Sequence, residues 1–130
     1  MISRSELRRL VRAAELAAPA EACGLLGAAG EGGRIRLHVV PLANAARSPN
    51  GFRITPRGLA AGRRSLRRRG LVLCGCFHSH PTQRAEPSPL DRSSMERFPL
   101  WWLIYSRPQR AVHLLRARTG RLERAIVRLG

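Results

Sequence analysis

An unbroken apolar run, Leu71-Val-Leu-Cys-Gly-Cys-Phe77, ends in His78-Ser-His80. It is long enough for a strand and short for a buried helix, and it leaves no solvated face. It therefore predicts a central strand that delivers His78 and His80 at its C-terminal end. The rest of the chain has to be arranged around that strand. Ser3-Arg-Ser-Glu6 is a capping-box pattern, and Leu7, Leu10, Val11, Ala14 and Ala17 follow at helical spacing, with Leu16 off the stripe. This helix should stop before Pro19, which removes a donor and constrains Ala18. From Ala22 a short buried strand runs into a glycine-rich turn, and the alternating segment from Arg34 returns as the second arm of a hairpin.

Asn44–Gly51 reads as a loop and Phe52-Arg-Ile54 as a brief extended piece. A second helix is predicted from Thr55 as N-cap and Pro56 in the first turn to Gly70, with Leu59, Ala60 and Leu66 inward and arginines outward. A helical turn, Arg92–Arg97, follows Asp91. Three apolar segments then read as strands: Leu100–Ser106, Ala111–Ala117 and Arg121–Leu129. Ser106–Arg110 and Arg118-Thr-Gly120 supply the turns between them. The adjacent Trp101 and Trp102 must face opposite sides of their strand, one to the core and one outward. The expectation is a single α+β (mixed α/β) domain over residues 1–130, a sheet with two flanking helices.

Length and composition agree, since 130 residues at 44% hydrophobic suffice for one core. No apolar stretch is long enough to span a membrane, and Met1–Leu10 lacks a signal-peptide core, so a soluble cytoplasmic protein is expected. The three cysteines, Cys23, Cys74 and Cys76, are an odd number and read as reduced, partly buried thiols. The formal charge of +16 is carried entirely by arginine. Its densest cluster, Arg63–Arg69, contains no aromatic residue to stack on bases, and no nucleic-acid recognition motif accompanies it. The sequence thus keeps nucleic-acid binding only as a less favoured alternative, and an acidic protein surface is at least as good a partner for that charge.

His78 and His80 lie two apart on a strand, so both imidazoles face one side while Ser79 faces the other. They offer two nitrogen ligands. A third must come from a loop folding back, and the loop stiffened by Pro81, Pro87 and Pro89 leads to Asp91, the one aspartate in the chain. Three protein ligands leave a fourth tetrahedral position for water, the arrangement of a hydrolytic zinc site. A closed site of Cys74, Cys76, His78 and His80 is excluded, because four same-face residues on one strand span about 20 Å.

The spacing His78-x-His80-x7-Ser88-x2-Asp91 resembles the JAMM metalloprotease motif of MPN domains. Upstream, Pro19-x-Glu21-x-x-Gly24-x-Leu26 resembles the glutamate segment of the same family, and Asn44–Pro56 resembles the stretch after the first hairpin in its compact bacterial members. The resemblance implies a cytidine-deaminase-like MPN fold, a central curved, mostly antiparallel sheet flanked by helices. It implies one zinc ion held by His78, His80 and Asp91, with Glu21 as general base and Ser88 as donor to the oxyanion. Cys23 would pack beside the site. The implied activity is hydrolysis of the bond after the C-terminal glycine of a ubiquitin-like protein. The alternative is release of cysteine or a C-terminal extension from a sulfur-carrier protein ending in Gly-Gly. Activating-enzyme-like or conjugating-enzyme-like proteins are the implied pathway partners. A non-catalytic scaffold is disfavoured, because the ligands, the glutamate and the serine are all present.

Overall fold

A computed structural model describes residues 1–130. Helix α1 spans Arg4–Ala17, capped by Ser3, whose Oγ accepts the Glu6 amide at 3.1 Å. The reciprocal half of the expected capping box is diverted. The Glu6 carboxylate turns inward and accepts the Val39 amide at 2.8 Å, with Arg9, His38 and Arg69 around its other oxygen. A buried backbone donor outcompetes a solvated one for that carboxylate. Leu16 is 76% exposed, in keeping with its place off the apolar stripe.

The hairpin forms as expected from β1 (Cys23–Glu31) and β2 (Arg34–Leu42), joined by Gly32 and Gly33, both at positive φ. Helix α2 covers Pro56–Arg68, with the Thr55 Oγ1 accepting the Gly58 amide. Its buried residues are Gly62 and Leu66. Ala60, expected inward, is exposed. Gly62 takes the inward place because the helix lies so close to the sheet that a Cβ there would press on Leu25 and Leu42. The remaining elements are β3 (Val72–His80), α3 (Pro89–Arg97), β4 (Trp101–Ser106), β5 (Ala111–Arg118) and β6 (Arg121–Ala125). The chain is thus a mixed α+β fold in which the third helix starts two residues before Asp91 rather than after it.

One six-stranded sheet has the order β2-β1-β3-β4-β5-β6, antiparallel except for β3 and β4. The apolar run from Leu71 does form a central strand. Alternation assigns the two faces. Leu26, Phe77, Leu103, Tyr105 and Leu114 meet Leu10 and Ala14 of α1 on one side. Leu25 and Val40 meet Leu66 of α2 on the other, where Trp102, Ile104 and Leu115 meet Met95 of α3. At Cys74 the β1–β3 register slips, since Leu26 pairs with Gly75 but Gly27 pairs with Leu73. This bulge turns Cys74 onto the α1 side while Cys76 stays with α2 and α3. The four-ligand cysteine–histidine site is therefore excluded by facing as well as by span.

The last strand ends at Ala125, short of the expected Leu129. Ile126 is 83% exposed, and the tail crosses the α1 face until Leu129 and Leu37 both bridge to Ile2. Of the tryptophans, Trp102 is buried. Trp101 is half-buried against the α1 core, with the Arg116 guanidinium 4.4 Å above its ring. No helix is long and apolar enough to cross a membrane.

Candidate metal centre

A parallel pair needs a crossover, and residues 81–100 supply it between β3 and β4. The crossover leaves the C-terminal end of β3 and must return along one face. The N-terminus of α3 is consequently laid over His78 and His80. Ser88 is the N-cap of that helix and Asp91 its third residue. Their interaction is reciprocal: Ser88 Oγ accepts the Asp91 amide at 3.0 Å, and Asp91 Oδ2 accepts the Ser88 amide at 3.0 Å. The same Oδ2 lies 3.1 Å from His78 Nε2 and 3.0 Å from His80 Nε2, and the two nitrogens are 3.2 Å apart.

The three expected ligands thus converge on one point, with His78 and His80 essentially inaccessible and Asp91 only 6% exposed. Ligand atoms of a tetrahedral zinc with bonds of about 2.0–2.1 Å stand about 3.3 Å apart. A triangle with edges of 3.0–3.2 Å is close to that requirement. The donor set therefore fits a divalent ion of the zinc type.

Glu21 sits just before β1. Its carboxylate falls within 4.8 Å of a ring nitrogen of each histidine, and its buried Oε1 has no hydrogen-bond partner. A buried carboxylate oxygen left free beside a ligand cluster is poised for a proton or a ligand rather than for structure. Two contacts fix the Glu21 backbone. Ser79, the residue between the histidines, faces away from them as expected, and its Oγ accepts the Ala22 amide at 2.8 Å. Asn44 donates to the Glu21 carbonyl at 2.9 Å and to the Gly51 carbonyl at 3.1 Å, while its Oδ1 accepts from Ala46 and Arg53. All the hydrogen-bonding capacity of this asparagine is spent tying the Asn44–Arg53 loop to Glu21.

The two imidazoles are oriented by different means. His80 Nδ1 donates to the Arg84 carbonyl at 2.7 Å, which turns Nε2 toward His78 and Asp91. His78 Nδ1 has no partner; its ring is held by Phe52, stacked at 4.9 Å, and by the edge-on Trp102 at 5.8 Å. Phe52, Trp102, Asn44 and the Arg84 carbonyl are therefore part of the site, although nothing local marks them. The only signal was that Asn44 and Phe52 fall in the segment resembling compact family members.

Electrostatics separate the two carboxylates. Burial, then the charge of Asp91, push the Glu21 pKa up to about 7, against a smaller opposing pull from His80. Burial also works to raise Asp91, but the hydrogen bonds to His78 and His80, the charge of His78 and the Ser88 amide hold it well below the ordinary range. His78 is lowered by complete burial. For His80, burial is outweighed by Asp91, the Arg84 carbonyl and Glu21, and its pKa rises. One carboxylate is thus a permanent anion facing the rings and the other can hold a proton near neutrality. Two groups pushed apart in this way have the electrostatics that acid–base chemistry requires.

A buried pair of strand-end histidines with carboxylates on either side, in this fold, defines a metalloprotease-like domain. The chain belongs to the prokaryotic homologs of the JAB domain, which match it over residues 3–118. Among solved structures, DSY2949 from Desulfitobacterium hafniense is 31% identical with a TM-score of 0.83, over 100% of this chain and 93% of that one. The JAB1/MPN domain protein AF2198 from Archaeoglobus fulgidus is 24% identical with a TM-score of 0.61, over 99% and 94%. A structure described as JAMM, a metalloprotease-like zinc site in the proteasome and signalosome, is 22% identical with a TM-score of 0.58, over 99% and 95%. No curated protein matches.

Proposed function

We propose that the chain is a zinc-dependent metallopeptidase that hydrolyses the bond after the C-terminal glycine of a ubiquitin-like protein. The observation that carries this reading is the convergence of His78, His80 and Asp91 beside the unpartnered carboxylate oxygen of Glu21. The zinc description of the JAMM relative supports the choice of metal.

In this reading His78, His80 and Asp91 hold the ion. Bound zinc supplies a Lewis acid that polarises the scissile carbonyl and acidifies water. Glu21, whose pKa lies near 7 in the metal-free site, accepts the proton of the attacking water and passes it to the departing amine as the C–N bond breaks. The Ser88 hydroxyl uses a lone pair to cap α3, so its O–H proton is free to donate to the carbonyl oxygen as charge develops there. A Gly-Gly tail has no side chains to obstruct its approach. A pocket of about 350 Å³ is lined by Arg47, Arg53, Leu90 and Phe52, the ring that stacks on His78, while the metal-site residues themselves do not line it.

The same chemistry would release cysteine or a short extension from a sulfur-carrier protein, so the leaving group decides between the two substrate classes. The test is to offer the zinc-loaded protein one Gly-Gly-ended ubiquitin-like domain in three forms: linked to a lysine side chain, to free cysteine and to a C-terminal peptide. Zinc-dependent cleavage of any of them supports the proposal, and the form cut fastest identifies the leaving group. Absence of cleavage in all three with one zinc bound would end it.

A further inference from the structure

A single peptide unit, Arg84–Ala85, is gripped from both sides. Its carbonyl accepts His80 Nδ1 at 2.7 Å, and its amide donates to Gln109 Oε1 at 2.8 Å. Ala85 is fully buried, so water does not replace that acceptor. Gln109 lies in the β4–β5 turn and is itself fixed: Ser106 Oγ accepts the Gln109 amide at 3.2 Å and donates to the Gln83 carbonyl at 2.7 Å. The plane of one peptide is therefore set by a side chain on the far strand pair. That plane aims the carbonyl at one nitrogen of His80. His78 has no equivalent device, its Nδ1 being unpartnered.

We propose that Gln109 is a positioning residue which, through the Arg84–Ala85 peptide, fixes the ring of His80 so that Nδ1 meets the Arg84 carbonyl and Nε2 points to where His78 and Asp91 converge. A ligating histidine depends on such an outer partner for tautomer and aim, and loss of one costs about 10–100-fold in metal affinity. Here the partner is a backbone carbonyl, which has no choice of orientation except the one its own amide dictates. Gln109 acts without touching the ring. The inference rests on the metallopeptidase reading for its consequence in catalysis, but the contact of Nδ1 with the Arg84 carbonyl, and the ring angle it sets, are present without metal.

Three variants test it. Gln109→Met keeps the side-chain length and loses the acceptor, whereas Gln109→Glu keeps an acceptor oxygen. Ser106→Ala loosens the turn that carries Gln109 and covers the case in which Gln109→Met does not fold. The downfield, slowly exchanging Nδ1–H proton NMR signal of His80 in metal-free protein reads the hydrogen bond to the Arg84 carbonyl, and zinc competition against a chelator reads the affinity. The expected result is a protected Nδ1–H signal of His80 in wild type and Gln109→Glu, and its broadening or loss in Gln109→Met, with His78 signals unchanged. Zinc affinity should fall about 10–100-fold in Gln109→Met, less in Ser106→Ala, and be restored in Gln109→Glu. An unchanged His80 Nδ1–H signal in both Gln109→Met and Ser106→Ala, or equal loss in Gln109→Glu and Gln109→Met, overturns the assignment. If wild type binds no zinc, the metallopeptidase reading fails while the metal-free spectra still decide the role of Gln109.

Discussion

Ser88 and Asp91 complete each other's hydrogen bonds across the first turn of α3, each accepting the other's backbone amide at 3.0 Å. The spacing of two intervening residues is the distance from N-cap to third helical position. The serine and aspartate of the motif are therefore one structural unit: the cap points Oδ2 of Asp91 at both imidazoles. Ser88→Ala should cost about 0.5–2 kcal/mol of folding stability through loss of the cap. If the hydroxyl also donates to the developing oxyanion, turnover at full zinc occupancy should drop by about 10²–10³. Ser88→Thr, which keeps both functions, should recover most of each. A turnover loss below about tenfold in Ser88→Ala, with stability reduced as expected, would leave the residue as a cap alone.

Glu21→Gln should bind zinc like the wild type and lose hydrolysis, because the amide keeps the volume but takes no proton. His78→Ala and Asp91→Ala should lose zinc and hydrolysis together, as each removes a corner of the 3.0–3.2 Å triangle. Metal content by mass spectrometry beside a cleavage assay separates the two classes. Hydrolysis surviving in metal-free Glu21→Gln protein would be fatal to the assignment.

The pH dependence of metal-free stability has a definite sign. Below the ordinary glutamate pKa of 4.5, Glu21 is protonated in both folded and unfolded chains; between 4.5 and about 7 only the folded chain keeps the proton. Stability contributed by this group therefore falls as pH rises through that window and stays low above it. Asp91 runs the other way: its folded pKa is depressed, so its contribution is present above the ordinary aspartate range and lost as pH falls below it. Metal-free Glu21→Gln should melt above metal-free wild type at pH 8, and the gap should close near pH 4. A gap that is constant across pH would show that Glu21 carries no raised pKa.

Gly24 lies one residue after Cys23, which pairs with His78. A Cβ on Gly24 would collide with the Val40 carbonyl oxygen and the Phe77 ring, both immovable parts of the core. This gives a packing reason for the glycine in the Glu21 segment. Gly24→Ala should destabilise by about 1–3 kcal/mol, readable as a shifted urea midpoint. A neutral effect would mean that the β1–β2 spacing is looser than described.

The Cys23 thiol is raised to about 11 by burial and then by the charge of Glu21, and the Cys76 thiol is raised by burial as well. Two units of pKa correspond to about 100-fold less thiolate at pH 8. Iodoacetamide at that pH should modify native Cys23 at least about 100-fold more slowly than the unfolded chain, by peptide mass spectrometry. Rapid labelling of native Cys23 would contradict its raised pKa.

Helix α2 begins at its expected cap, Thr55, and the Arg34 strand returns from the Gly32-Gly33 turn, because the residues responsible are neighbours in the chain. The same reasoning misplaced the start of α3. Ser88-Pro89 carries a helix-start signal of its own, yet the helical turn was expected only after Asp91. It also missed Glu6, whose carboxylate abandoned a local cap for the Val39 amide, 33 residues away. Beyond Ala125 an alternating pattern continued while the ladder ended, since alternation shows that a segment can pair and not whether a partner remains.

By itself the sequence determined that two imidazoles share one strand face, that an aspartate stands three residues after a serine, and that a glutamate and a glycine lie at the start of a buried strand. Each is a matter of spacing along a regular backbone, where 2-residue and 3.6-residue periods dictate direction. Only the tertiary structure decided that these groups meet. The single parallel pair, β3 and β4, forces the intervening chain back over the strand end. There the stacking of Phe52 on His78 and the grip of Gln109 on the peptide behind His80 set the angles of the two rings. Contacts between residues tens of positions apart leave no periodic trace, because their energy depends on where the chain has already been placed.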